Sequence, residues 1–406
     1  MQANIDTTAP LAGEGGGGKP KPVRMATKLA FRNLFHDRLS LTVTLVGIVF
    51  SVVLVAIQCG LYIGNERLIA LMIDKNGSEG DLWIVPHGTK SFDDPTFLMG
   101  HEKYAVLSTP GVKDAEDLVV SFSAWRKPKP TGGTTTILLV GSDHVNGTMK
   151  PWLQETIVEG SLNDLRTPST VAVDDSYFSA LGVTKIGDAA EVNNIRVKVG
   201  AVTHGVRSFT TLPYVFTSLT RARSLLGATA NQASYTLVRL EPGADTKKVR
   251  EVLEARLNGR EVLEQAEFRK RSVDYWLWET GAGAALYAGA ALGLIVGIVI
   301  VAQTLYSSTK DHLNEFATLR ALGAPASYVY KVILIQALLS GVIGYAIGVI
   351  ISLLVIWAAK DSSLAIVMTP GFAVLLFLLT IGMCSVAAVS AIFKVTRIDP
   401  AGVFSR

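Results

Sequence analysis

Charged side chains are missing from four stretches of this chain, and that absence organises the rest. No Lys, Arg, Asp or Glu occurs within 41–63, 281–306, 332–358 or 371–393. A helix crossing a hydrocarbon core of ~30 Å needs ~20 mostly apolar residues, and each stretch is long enough. A charge at the bilayer centre is expensive, so its exclusion marks these runs as spans. Cysteine is nearly absent too. Cys59 and Cys384 both fall within spans, which excludes a disulfide framework or a cysteine-based metal or redox centre between the first two spans. Segment 64–280 must therefore be held by its own core, and it is long enough to have one. The net charge of +4 is too small to point to nucleic acid. A complete phosphate loop is also lacking. Gly13 to Lys19 follows most of the G-x-x-x-x-G-K-[ST] pattern, but Pro20 has neither the magnesium-binding hydroxyl nor a backbone N–H. No strand precedes it. The chain is expected to bind no nucleotide, cofactor or metal, and to hold no catalytic residue.

What is present is an ordered layout: one span, a large polar segment, then three spans. Basic residues flank it asymmetrically. Lys19, Lys21, Arg24, Lys28, Arg32 and Arg38 precede the first span; Lys310, Arg320 and Lys331 separate spans two and three; Lys394, Arg397 and Arg406 follow the fourth. Positive residues stay in the cytoplasm, which places both termini inside and 64–280 and the short turn 359–370 outside. The first span starts too late, runs too long and lacks a cleavage site for a signal peptide, so a retained anchor is expected.

Residues 1–24 are Gly-, Pro- and Ala-rich and read as a disordered cytoplasmic tail. In 25–40, Phe31, Leu34 and Phe35 gather near one face, which fits an amphipathic helix at the inner leaflet or a plain basic flank. The outer segment alternates strand-like runs (134–142, 169–175, 191–202, 233–240) with a helical run at 245–257, for which Asp245 is a suitable cap. An α+β domain of two lobes is expected, with a β-rich inserted lobe at about 123–205. Tyr62, Tyr275, Trp276, Trp278 and Trp357 stand near span ends and read as interfacial belt residues. Small residues recur every four positions as Gly289, Gly293 and Gly297, and as Ser340, Gly344 and Gly348. Such stripes let helices approach closely, within one chain or between two copies.

Between spans two and three, 307–331 is too long for a tight turn. Leu313, Phe316, Leu319 and Leu322 recur every three residues, Glu315 and Arg320 charge the rim, and Gly323 with Pro325 ends the helix. A helix docked into a partner's groove and a helix resting on lipid fit this pattern equally.

The run 314–324, NEFATLRALGA, resembles the E-[IF]-[AG]-x-[LM]-[RK]-A-[LI]-G-A signature of ABC permeases of the MacB/FtsX/LolC-like superfamily. LAFRNLFHDRLSLTVTLVG (29–47) is similar to that group's first helix, and RIDPAGVF (397–404) to its R-x-DPAEAL ending, with Gly402 in place of Glu. IVEG (157–160), 169–174, 186–200 and STPGVKDAE (108–116) resemble its outer domain. FTTLPYVFTSLTRARSL (209–225) and the compact length look most like the DevC branch. The resemblance implies a mechanotransmitting permease of the bacterial inner membrane, with a periplasmic domain between helices one and two. In the group, Asn314, Glu315, Phe316, Leu319, Arg320, Leu322 and Gly323 match a coupling helix that touches a separate ATPase, which holds ATP and magnesium. A homodimer, a periplasmic adaptor, an outer-membrane channel and export driven from the cytoplasm are likewise implied. Lipoprotein release and FtsX-like signalling without transport are the group's other activities. An outer segment longer than the FtsX type favours transport.

Overall fold

The computed structural model describes residues 30–32, 35–77, 81–96, 102–128, 132–143, 152–312, 315, 318, 325–359 and 364–396. Among them are four helices long and apolar enough to cross a membrane: Arg38–Asn76, Ala282–Asp311, Ala326–Ala358 and Pro370–Thr396. The chain divides into two compact units.

One unit comprises Met1–Val52, Gly293–Val349 and Ala373–Arg406. Its helices meet where side chains are small. A Cβ on Gly344 would lie 2.5 Å from Ile48, one on Gly47 2.4 Å from Ile300, and one on Gly297 2.5 Å from Met383 and 2.6 Å from Ser51. Contacts this short are open only to glycine, which is how helices pack where no water drives them together. Ser51 Oγ donates across to the Gly293 carbonyl at 2.8 Å. Ahead of Arg38, residues 30–32 and 35–36 are helical, and the exposed Phe31 and Phe35 rings sit 4.5 Å apart. Asp37 interrupts that helix and accepts from Ser40 N at 3.1 Å, starting the long one.

The other unit comprises Val53–Leu292 and Ile350–Phe372. Its strands are β1 (Leu82–Pro86), β2 (Val112–Arg126), β3 (Thr134–Ser142), β4 (Ile157–Glu159), β5 (Thr170–Asp174), β6 (Ala189–Val192), β7 (Ile195–Thr203), β8 (Tyr214–Ser218), β9 (Tyr235–Leu240) and β10 (Arg260–Glu264). They form a mixed sheet ordered β10-β1-β9-β2-β3-β8-β5-β7-β4, with β6 pairing β2 and β7. β2 is the seam. Its Val112–Leu118 half pairs with β9, and its Val119–Arg126 half pairs with β3. Two lobes follow. Leu82, Ile84, Val106, Val249, Leu253 and Val262 fill the first, and Val119, Trp125, Ile137, Val171, Val199 and Val215 the second. The second lobe also includes β8 and the helix Leu219–Leu226, so it continues past residue 205.

Two expectations need correction here. The 191–202 run is a hairpin, not one strand: Asn193 and Asn194 take positive φ (49° and 66°) between β6 and β7, as a tight primed turn requires. The first-span helix continues past the apolar run, which ends at residue 63, as far as Asn76. Beyond the apolar run, Ile69, Ala70, Met72 and Ile73 keep helical spacing, and all are buried in the domain's cores. Trp276 is no belt residue, as the next section describes.

Candidate functional site

Of the residues matched to a coupling helix, Asn314, Phe316, Leu319, Arg320, Leu322 and Gly323 lie outside the described residues. Glu315 is helical and exposed, and its carboxylate lies 3.3 Å from His312 Nδ1. The small-residue stripes fall within this chain's own packing. A Cβ on Gly289 would lie 2.7 Å from Gln58 Nε2, and one on Gly348 2.7 Å from Val52. Ser340 is fully buried, and its hydroxyl has no hydrogen-bond partner.

Where the domain meets the span ends, the structure assembles a site that the sequence pattern did not single out. The first-span helix reaches it from one side. Its end is fastened by Trp152 Nε1, which donates to Asn76 Oδ1 at 3.0 Å. The second approach is the helix Gln265–Asp274, followed by one π-helical turn over Tyr275–Glu279 and then by the second-span helix. A π turn shifts side-chain phase within a helix and often marks a working position. Arg269 ties the two approaches together, reaching Glu66 at 3.0 Å and Asp74 at 3.2 Å. Glu66 and Asp74 lie eight residues, about 12 Å, apart along the helix, and both carboxylates lean in to the Arg269 guanidinium between them.

The π turn sends its side chains in opposite directions. Trp278 stacks on Tyr287 (5.7 Å, 12°), and Tyr62 lies 4.7 Å from Tyr287, which leaves this aromatic group at the surface. Trp276 instead turns into the domain. Its ring lies 5.4 Å from Phe209, and its Nε1 donates to Ser91 Oγ at 2.8 Å.

Ser91 belongs to the loop after β1, whose next two residues are as firmly held. Phe92 is buried between Tyr235, stacked at 5.2 Å, and Trp83 at 6.3 Å. Tyr235 Oη donates to the carbonyls of Ser91 and Phe92. Asp93 accepts from Tyr214 Oη at 2.5 Å and from Ser208 Oγ at 3.2 Å. Burial pushes its carboxyl up to about 6, against the pull of those two donors. On β2, Glu116 is pushed up to about 7, first by burial and then by Asp143 and Asp114 nearby. Both its carboxyl oxygens lack a hydrogen-bond partner. Among the described residues no three His, Cys, Asp or Glu side chains are grouped to hold a metal ion.

The site is built from aromatic packing and buried or partly buried hydrogen bonds among the end of the first-span helix, the π turn and the loop after β1. The family model of the MacB-like periplasmic core domain matches residues 41–256, and that of the FtsX-like permease C-terminal matches residues 287–400. The chain belongs to the MacB/FtsX permease superfamily. No curated protein matches it. Among solved structures, the periplasmic region of MacB from Actinobacillus actinomycetemcomitans is 11% identical, with a TM-score of 0.37, covering 49% of this chain and 94% of that one. The extracellular domain of the noncanonic ABC-type transporter YknZ from Gram-positive bacteria is 16% identical, with a TM-score of 0.33, covering 45% and 98%. A domain of a putative permease from Porphyromonas gingivalis is 18% identical, with a TM-score of 0.31, covering 45% and 88%. As a superfamily member the chain is a multi-pass inner-membrane permease subunit of an ABC-type system, a class that works with a cytoplasmic ATPase subunit.

Proposed function

We propose that this chain is the permease of an ATP-driven exporter whose ATPase is a separate chain, and that it moves cargo by reshaping its periplasmic domain. The observation that carries this reading is the first-span helix. Its 39 residues run unbroken from Arg38 to Asn76, about 58 Å at 1.5 Å per residue, against a hydrocarbon core of ~30 Å. The outer end is a wall of the domain core, so displacement of the helix must displace the domain. The spans themselves carry few polar side chains, which argues against a hydrophilic path through them.

In this reading both termini are cytoplasmic and two copies assemble with two ATPase subunits. The segment 307–331 is the coupling contact, with Phe316, Leu319 and Leu322 as its apolar face and Glu315 and Arg320 on its rim. Cargo is taken from the outer leaflet or periplasm and passed to an adaptor and an outer-membrane duct.

Charge reversal at both rim positions, Glu315→Lys with Arg320→Glu, should abolish co-purification with the ATPase while the four-span chain still assembles. A fully active complex carrying both changes would refute the coupling assignment. The purified chain alone should hydrolyse no ATP. Reconstituted complex that turns over ATP, binds no adaptor and moves nothing would turn the reading towards signalling.

A further inference from the structure

We infer that Ser91, Phe92 and Asp93 form a relay that passes movement of the second-span helix to the second lobe, with Trp276 as its input and Tyr214 as its output. The inference rests on the exporter reading and adds the residues that carry the motion. Three consecutive side chains face three different parts of one compact unit. Ser91 accepts from Trp276, in the π turn leading directly into the second-span helix. Phe92 enters the aromatic group of Trp83 and Tyr235 in the first lobe and acts as a pivot. Asp93 holds Tyr214 of β8, in the second lobe, and Ser208 in the loop that leads to it.

A loop needed only to join β1 to the following chain would not require three buried, separately anchored side chains. Here Ser91, Phe92 and Asp93 are all at most 3% exposed. The bonds of Asp93 and Tyr235 are buried, where such contacts are directional and costly to break, and the Trp276–Ser91 bond is partly buried. A packed interior shifts between discrete arrangements rather than deforming smoothly, so a displaced Trp276 either carries Ser91 with it or loses its partner. The ring of Phe209, packed on Trp276 one residue beyond Ser208, closes the circuit from the second lobe back to the π turn.

The test uses the full permease–ATPase complex in lipid nanodiscs, with Cys59 and Cys384 replaced. Spin labels are placed at Lys185→Cys in the second lobe and Lys247→Cys in the first, both exposed positions. Trapping with ADP–vanadate should change the distance between labels in the unsubstituted protein. Trp276→Phe keeps the ring on Phe209 but lacks the N–H; Ser91→Ala lacks the acceptor. Each should reduce that change at least twofold while ATP turnover stays within twofold. Ser91→Thr, which keeps the hydroxyl, should restore it, a rescue that a purely structural role would not produce. A full distance change in both Trp276→Phe and Ser91→Ala would overturn the relay and leave the exporter reading standing. No vanadate-dependent change in the unsubstituted protein would overturn both.

Discussion

The spans and the periplasmic domain are held together by opposite chemistries. In the spans, hydroxyls bond mostly within their own helix: Thr44, Thr304 and Thr380 each donate to the carbonyl four residues earlier, and Ser51 reaches across to Gly293. Contacts between helices are made at glycines. In the domain, large rings fill the core, and buried carboxylates recruit donors from distant segments. Asp174 accepts from Thr203 and Val206, and Asp117 pairs with Arg223 at 3.0 Å. The difference follows from the solvent each part faces. Lipid gives no hydrophobic drive between helices, so fit alone holds them. Water drives the domain together, and the domain then has to manage the polar groups it buries. One part should therefore be sensitive to volume and the other to protonation.

The largest expected effect is on volume. A Cβ at Gly64 would lie 1.7 Å from the Ala365 carbonyl oxygen, where the extended stretch before the fourth span crosses the first-span helix. Val367 N donates to the Gly60 carbonyl in the same crossing, at 3.1 Å. Backbone cannot rotate away as a side chain can. Gly64→Ala should cost about 3 kcal/mol or more, read as a lower midpoint in detergent-induced unfolding. Gly297→Leu should behave alike. Gly382 has open space around its Cβ position, and Gly382→Ala should be neutral or slightly stabilising, because alanine favours helix by about 1 kcal/mol. Equal losses at Gly64 and Gly382 would break the comparison.

Protonation comes next. Glu116 holds its proton more tightly folded than unfolded, because the buried carboxylate has no donor to meet it. Its stabilising contribution is thus complete below the ordinary glutamate range and fades as pH rises through about 7. Between pH 6 and 8 the domain should lose about 1 kcal/mol from this group. Asp93 adds a loss of the same sign that begins above the ordinary aspartate range and levels off above about 6. Glu116→Gln should flatten the upper part of that slope in thermal melts at a series of pH values. An unchanged slope would mean that Glu116 finds a partner in solution.

How much of this was legible in the chain follows the same division. The spans announce themselves by missing charge, and β3, β5 and β9 by β-branched runs. Asp245 caps its helix as its position suggested, accepting from Lys247 and Lys248. The end of the first-span helix at Asn76 was hidden because Glu66, Arg67 and Asp74 look like the start of a polar segment, although the apolar residues among them keep a helical period. The Asn193–Asn194 turn was hidden because the strand-like character continues on both sides of it. Trp276 shares its composition with belt aromatics, and only tertiary contact shows that it faces Ser91. Asp93 had no signal at all, since Tyr214 and Ser208 reach it from more than a hundred residues away.

The smallest effect probes the boundary between the two chemistries. Arg269 joins Glu66 and Asp74, yet its side chain is 35% exposed and those of its partners 33% and 45%. Charges so accessible are screened, and pairs of this kind are worth up to about 1 kcal/mol. Arg269→Gln should therefore lower the unfolding midpoint only slightly at low salt. The difference should shrink further at 1 M salt, where the screening length falls to about 3 Å. A loss that is large and indifferent to salt would show that Arg269 acts by packing its stem between the two helices, as the glycines do in the spans. The division would then lie farther out along the helices than the end of the apolar run.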